Sequence, residues 1–400
     1  MVKVLTTKVY AASPEEIKSG MATDIYFVRT KRILEEAGLA DLKVRMEAHA
    51  YSLPKGYEWA VLAGVEEALH ILEGVPVDVY SVPEGTIFGK KEPIFVIEGR
   101  YADFAVYETA LLGVLRFASS IATRTARMKK LAGDKTILYF GLRALHPAVY
   151  PAADRAAYIG GADGVSGVLS EKYLGVKPKG TMPHALIISF GDPRKAWAWF
   201  ARLYKDETPV IALVDTFYDE RVESLMAAEL LGKDLYGVRL DTPSSRRGKM
   251  REIVEEVRWA LSMKGYGHVK IIVSGGIGER QIVELRDVVD GFGVGTSISS
   301  APNIDISMDI VAVDRGDGWE PISKRGKLPG AKTLYRCPPL ENRIVLEGED
   351  PGTCEDGSKP EKLLVKYIEN GRLVRELPSL EEIRSYVLAQ LEHASINEIV

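Results

Sequence analysis

Cysteine is almost missing from this chain: there are two in 400 residues, Cys337 and Cys354. That is too few for a disulfide-built secreted scaffold and agrees with a reducing compartment. Positive charge is not in excess either. The formal balance of -4 offers no electrostatic footprint for nucleic acid and no attraction to an anionic membrane. Long apolar runs are absent as well. The opening residues, MVKVLTTKVYAASPEE, lack the apolar core and small-residue cleavage site of a signal peptide, and no later segment approaches ~20 unbroken apolar residues. The expectation is a cytoplasmic protein whose partners are small metabolites.

What is present is ample core material, 46% hydrophobic against 27% charged, as in globular proteins generally. The length suggests two or three domains. Residues 1–103 mix helix and strand signals without a repeat. Tyr57 to Glu73 has apolar residues at helical spacing until Gly74 and Pro76 stop it, and Leu42 to Tyr51, Val77 to Val82 and Ile94 to Glu98 read as strands. This is an α+β region. Near its start, GMATDIYFVRT reads as a helix opened by Asp24, with aromatics at Tyr26 and Phe27.

Residues 104–303 change the rhythm. Phe104 to Leu131 reads as one long apolar helix or a broken pair, whose basic end (Arg124, Arg127, Lys129, Lys130) suits a solvated helix C-terminus. Beyond it, runs rich in β-branched residues recur about every 25 residues: TILYF, ADGVS, the run into Gly180 and Thr181, VIALV, YGVRL, VKIIVS and GFGVG. Helical segments lie between most of them, the clearest being Asp219 to Leu231, Arg246 to Met263 and Glu279 to Arg286. Such alternation implies a parallel sheet, and the short repeat favours a small closed α/β barrel over an open sheet. Residues 304–400 leave the βα rhythm for short strands and turns that return to the N-terminal domain, with a final helix over Leu380 to Leu391.

An α/β barrel builds its site from residues at and beyond the C-terminal ends of its strands. Here those positions read Phe140, Gly141 and Arg143; Ser166; Thr181 and His184; Asp215 and Thr216; Arg239 and Asp241; Ser274, Gly275 and Gly276; Gly293, Gly295 and Thr296. Glycine where backbone must approach a ligand, followed by a helix start, is a phosphate cradle, and the two glycine turns fall on the last two strands, where barrels commonly seat phosphate. Arg239 and Asp241 share one face of a strand. They either pair with each other or grip an anion and a sugar hydroxyl or metal-bound water. Asp215 either caps the next helix or serves a hydroxyl or Mg²⁺. In KPKGTMPHALIISFGD (177–192), Pro183 places His184 in the opening turn of a helix that Gly191 can close, before Asp192 and Pro193 start another. Such a histidine is either hydrogen-bonded to its surroundings or placed to meet an anion.

With these residues assembled, the chain resembles the nicotinate phosphoribosyltransferases, type II phosphoribosyltransferases that also include the nicotinamide and quinolinate enzymes. The likeness runs over TDIY, ETALLGVLRFASSIAT, FGLR, GADGVS, GTMPHA, VDTF, RLD, SGGI, VGT and KRGKLPGAK. It implies an incomplete α/β barrel beside an α+β sandwich domain and a small C-terminal β-rich extension, usually in a homodimer with shared active sites. It also implies a reaction: nicotinate and phosphoribosyl pyrophosphate give nicotinate mononucleotide and pyrophosphate, with Mg²⁺ and with ATP hydrolysis coupled through a phosphohistidine at His184. Carried across, Phe140 and the partner's Tyr26 would sandwich the pyridine. Thr181 and Arg239 would hold the carboxylate, and Arg143 would contact phosphate. Asp215 and Asp241 would serve ribose and metal, and Ser274, Gly275, Gly276, Gly295 and Thr296 would seat the 5′-phosphate. Ser166 stands where nicotinamide-specific relatives carry an aspartate, so nicotinate is expected over nicotinamide. Quinolinate transfer, or a non-catalytic barrel binding a phosphometabolite, are the other readings.

Some archaeal relatives have a zinc knuckle, built from paired cysteines, at residues corresponding to 335–360. Each pair here has lost its second cysteine, so a Cys₄ site within one chain is impossible. Zinc on Cys337, Cys354 and other ligands, free thiols and a disulfide all remain open.

Overall fold

Strands whose residues are apolar on both faces need cover on both faces, and helices between them provide it. In the computed structural model, which describes residues 9–243, 245–246 and 248–400, this pattern yields six strands: β1 (Thr136–Tyr139), β2 (Gly164–Val165), β3 (Val210–Leu213), β4 (Leu235–Leu240), β5 (Lys270–Val273) and β6 (Gly291–Val294). Their spatial order is β2-β1-β6-β5-β4-β3 and every pairing is parallel. Ala212, Leu213, Val238, Leu240, Ile271, Val273, Phe292 and Val294 are all fully buried.

The barrel does not close, which corrects the expectation from the strand rhythm and agrees with the incomplete barrel that the resemblance implies: among the described residues β2 and β3 are its two unpaired edges. The expected strand into Gly180 and Thr181 does not form. Pro178, Gly180 and Pro183 punctuate that run, and proline lacks the N–H that a central strand must donate. The segment is instead tied at two points. Lys179 N donates to the Val165 carbonyl at 2.7 Å, and the Met182 carbonyl accepts from Arg239 Nη2 at 2.8 Å.

The chain divides into two units, one running up to Ser120 and including Asn303–Ala394, the other Ile121–Pro302 with Ser395–Val400. The opening residues read above for a leader lie partly at 1–8, outside the described residues. The division falls inside the long helix Glu108–Ala132. Its basic end is not a solvated face, which corrects the sequence expectation: Arg127 is 1% exposed and grips the buried Glu279. Arg124 joins the same carboxylate at 2.7 Å, and Lys129 pairs with Asp163 at 2.8 Å. Among the described residues, Tyr101–Ala132 is the one helical stretch long and apolar enough to cross a membrane. These buried ion pairs mark its second half as a core helix.

The other unit centres on a seven-stranded antiparallel sheet ordered Trp319–Pro321, Asp305–Asp314, Lys43–Ser52, Phe95–Arg100, Val77–Ser81, Val365–Glu369, Arg372–Leu373. Four of these strands come from the last hundred residues of sequence. The helix expected over 57–73 is only Val65–Leu72, and Ala60–Val61 pairs with Ile87–Phe88 as a short ladder. Ala60, Val61, Leu62 and Ala63 are buried on all sides, so periodicity cannot choose between helix and strand there. Gly64 makes the break: its φ of +89° is left-handed, and a Cβ would sit 2.9 Å from Val114.

Cys337 and Cys354 form a disulfide with Cα atoms 5.5 Å apart, and both residues are buried. This corrects the zinc and free-thiol readings, because neither sulfur is left as a thiolate, and it removes the support that cysteine usage lent to a reducing compartment. Among the described residues, no group of three or more His, Cys, Asp or Glu is arranged to hold a metal by itself.

Candidate active site

His184 opens the helix His184–Phe190, with Pro183 in extended backbone before it and Gly191 at φ +64° ending it. Asp192 then caps Pro193–Tyr204 by accepting from Arg194 N at 3.0 Å. Proline and glycine thus bound a short helix that begins at the imidazole. Its Nδ1 lies 3.1 Å from Thr216 Oγ1, and its Nε2 lies 3.7 Å from Asp215 Oδ1 and 3.5 Å from Asp241 Oδ2. Residues from β3 and β4 therefore converge on a histidine that precedes both in sequence.

The two carboxylates are held differently. Asp215 is nearly buried, and its Oδ2 accepts from Asp241 N at 2.8 Å and Thr242 Oγ1 at 3.0 Å. Its Oδ1 has no hydrogen-bond partner. Burial pushes its pKa above the ordinary carboxylate value, although His184, Thr242 and the Asp241 amide pull it back. Asp241 is more exposed, and its Oδ1 accepts from Ser274 Oγ at 2.6 Å. Ser274 thereby spends its hydroxyl on Asp241 and joins the glycine turn after β5 only through its backbone. The Asp215 loop is fixed from below by the buried Glu223, whose carboxylate accepts from the amides of Thr216, Phe217 and Tyr218 at 2.7 to 3.2 Å.

Arg239 sits on β4 with its guanidinium 5.9 Å from the Phe140 ring centroid. Burial lowers its pKa, with Asp241 and Asp215 opposing and Arg143 adding to the shift. Its Nε is buried without a partner. Phe140 is packed over Gly293, where a Cβ would come within 2.8 Å of the ring. The two glycine turns follow β5 and β6. Gly275 and Gly276 have φ of +81° and +69°, left-handed values that glycine adopts without penalty, and a Cβ on Gly276 would meet open space. Gly295 lies against the Phe140 carbonyl, and Thr296 starts a short helix.

The structure thus brings His184, Asp215, Asp241, Ser274, Arg239, Phe140, Arg143 and the glycine turns onto one rim. Ser166 follows directly on β2, and Thr181 precedes the tethered Met182. Tyr26 belongs to the other unit, on the helix Ile25–Glu36, where it is 55% exposed and leans on Phe27. Asp24 stands at that helix's N-cap position without capping it, because its side chain accepts from Thr109 instead. Sequence reasoning missed Thr242, Glu223 and the Tyr139–Ser299–Gly141 chain of hydrogen bonds at 2.8 and 2.6 Å that braces the Phe140 loop. Nothing in their local spacing announces them.

A parallel half-barrel with a histidine, two carboxylates and an arginine on one rim, and glycine turns after its last two strands, defines a phosphoribosyl-transfer barrel of the type II kind. Family comparison gives the same class. The quinolinate phosphoribosyl transferase N-terminal and C-terminal domain models match residues 24–119 and 121–309, and the nicotinate phosphoribosyltransferase C-terminal domain model matches 345–397. A nicotinate phosphoribosyltransferase of Mycobacterium tuberculosis is 32% identical over 89% of this chain and 78% of its own length. The Bacillus subtilis nicotinate phosphoribosyltransferase is 28% identical over 78% and 72%. A crystal structure of a nicotinate-nucleotide pyrophosphorylase from Pyrococcus furiosus superposes with TM-score 0.94 at 52% identity, covering 98% of this chain and all of that one. Human nicotinic acid phosphoribosyltransferase shares the fold, with TM-score 0.77 at 23% identity over 93% and 94%. The chain belongs to the quinolinate and nicotinate phosphoribosyltransferases, the type II phosphoribosyltransferase family.

Proposed function

We infer that the protein transfers a phosphoribosyl group from phosphoribosyl pyrophosphate to nicotinate, giving nicotinate mononucleotide and pyrophosphate in NAD salvage, in the cytoplasm. The observation that carries the reading is the meeting of His184 with Asp215 and Asp241 beside Arg239. Breaking the bond between C1 of ribose and pyrophosphate develops cationic sugar and an anionic leaving group, so positioned charge does most of the work. Arg239 and Arg143 would hold the pyridine carboxylate and phosphate, Phe140 would stack on the ring, and Thr181 would complete the carboxylate grip. Ser166 can donate to a carboxylate where an aspartate would repel it. Tyr26 of a second copy would close the ring's other face in a homodimer. Gly275, Gly276, Gly295 and Thr296 would receive the 5′-phosphate.

Mg²⁺ suits Asp215 and Asp241: the buried Oδ1 of Asp215 lacks a partner, and a hydrated hard cation is commonly held by one or two carboxylates plus substrate phosphates. Its chemistry there would be charge neutralisation on pyrophosphate. His184 keeps Nδ1 on Thr216, which leaves Nε2 as the atom to accept a phosphoryl group from ATP, with ADP leaving. Between two carboxylates that group requires a compensating cation, the same demand that Asp215 makes.

The test is to supply Mg²⁺, phosphoribosyl pyrophosphate and nicotinate, nicotinamide or quinolinate, with and without ATP, and to follow mononucleotide formation. Nicotinate alone is expected to react well. Comparable kcat/KM for nicotinamide would refute the Ser166 assignment, turnover of quinolinate would establish that substrate instead, and binding without turnover would make the barrel a sensor. His184→Ala is expected to abolish ATP stimulation while substrate binding survives; undiminished stimulation would remove the phosphohistidine role.

A further inference from the structure

The final helix, Leu380–His393, belongs to the antiparallel-sheet unit, yet Ser395–Val400 belong to the barrel unit. They meet the barrel at Glu279, the first residue of the helix that follows the Ser274–Gly278 turn. Glu279 is fully buried. Its Oε1 accepts from Arg127 Nε at 2.8 Å and Arg124 Nη1 at 2.7 Å, and its Oε2 accepts from Arg127 Nη2 at 2.9 Å and from the Val400 backbone N–H at 3.1 Å. Arg127 Nη2 also donates to the Glu398 carbonyl at 2.7 Å. The chain's last residues thus close a ring of charge-assisted bonds using one backbone donor and one backbone acceptor.

A buried carboxylate gripped by a bidentate guanidinium is a fixed point, and the Val400 N–H and Glu398 carbonyl complete the bonds of that carboxylate and that guanidinium, which would otherwise be left unmet in a buried site. The turn just before it is fixed at other points too. The Ile277 carbonyl accepts from Ser297 Oγ at 2.6 Å, which joins the first glycine turn to the second, and Ser274 is tied to Asp241. Gly276, at φ +69° with open space where a Cβ would stand, lies between these anchors. Its conformational freedom makes it the part of the cradle that would drift if an anchor were lost.

We propose that residues 395–400 act as a clasp that sets the phosphate-binding turn through Glu279, so that affinity for phosphoribosyl pyrophosphate depends on a docked tail. The ligand's identity rests on the function inferred above. Glu279, Arg124 and Arg127 are positioning residues, acting through the turn that Glu279 terminates.

The experiment deletes residues 395–400 from the otherwise full chain. Calorimetric titration with Mg²⁺ and phosphoribosyl pyrophosphate, without pyridine, gives Kd, and kcat, the KM for nicotinate and Tm are measured separately. The expected result is a Kd raised about tenfold, with kcat and the nicotinate KM moving less than about threefold, because misplacement is confined to one substrate's cradle. Arg127→Lys keeps the charge but loses the fork, and should reproduce the same split. An unchanged Kd in both variants overturns the clasp. So does a uniform loss in Kd, KM, kcat and Tm, which is what a mere packing plug would give. If the wild-type protein binds phosphoribosyl pyrophosphate but makes no mononucleotide, the functional reading fails while the ratio of Kd values still decides the clasp.

Discussion

At the N-terminal ends of the barrel strands, charges are closed upon each other. Asp163, just before β2, accepts from Lys129 Nζ at 2.8 Å and Ile137 N at 2.9 Å. Asp234, before β4, pairs with Lys205 at 2.9 Å. Asp290, before β6, takes Arg258 at 2.6 Å, Lys270 at 3.1 Å and Ile271 N at 2.9 Å. Around His184 at the C-terminal ends the same residue types are left incomplete: Asp215 Oδ1 and Arg239 Nε are buried with no hydrogen-bond partner, and Asp215 and Asp241 stand side by side with one histidine between them. One end of the sheet minimises its own electrostatic energy, while the other bears a desolvation cost that a ligand would relieve.

Substitution separates the two ends. Asp215→Asn should cost the most in function: a loss of about 10²–10³ in kcat/KM, or roughly 2.7–4 kcal/mol by comparison with single preorganised groups. Thermal stability should hold or rise, because a partly unpartnered buried charge is removed. A Tm loss without a rate loss would erase the contrast.

Asp290→Asn should do the reverse, lowering stability by about 2 kcal/mol, the scale of hydrogen bonds to charged groups, and leaving kcat/KM per folded molecule intact. Burial alone would raise the Asp290 pKa, but Arg258, the Ile271 amide and Lys270 hold it below the usual value. A depressed folded pKa means that its contribution is present above the unfolded value and lost as pH falls through the folded one. The difference between wild type and variant should therefore narrow as pH falls below the ordinary carboxylate value, which denaturation at pH 7 and pH 3 checks.

The contrast between the ends also explains what could be read from the chain. The His184 helix was legible because Pro183, Gly191, Asp192 and Pro193 are local signals whose meaning needs no partner. The rim residues were legible because strand ends are predictable once the strands are, and these strands are short, β-branched and buried on both faces. Arg127 was not: its basic neighbours look like a helix terminus in water, and the carboxylate that buries it lies 152 positions away. The same holds for Glu223, which fixes three amides through a side chain unremarkable in sequence, and for Ala60 to Ala63, where complete burial removes the alternation that distinguishes strand from helix. Pairing of Cys337 with Cys354 was one of several open readings for the same reason, since two cysteines specify no geometry.

Asp154 refines the comparison at its smallest scale, because it is buried near the functional end yet is half satisfied. Its Oδ2 accepts from Gly167 N at 3.1 Å and Ser170 Oγ at 2.7 Å, while Oδ1 has no partner. The loop after Ser166 is shaped to this carboxylate, since a Cβ on Gly167 would lie 2.1 Å from Oδ2. Burial drives its pKa up to about 6, against the pull of Ser170 and Gly167. With the folded value above the unfolded one, Asp154 contributes most below the ordinary carboxylate pKa, and that contribution is lost as pH rises through about 6. Asp154→Asn keeps an acceptor for Gly167 and Ser170 and places an amide nitrogen where Oδ1 has no partner. Relief of desolvation and weakening of the two bonds then largely offset, leaving a change of about 1 kcal/mol and a flatter stability profile between pH 4 and 7. Calorimetry at pH 5 and pH 8 reads this directly. A variant that loses as much stability at pH 8 as Asp290→Asn would place Asp154 with the closed pairs of the opposite end, and the division of the barrel into a satisfied and an unsatisfied face would then stop at the residues that meet His184.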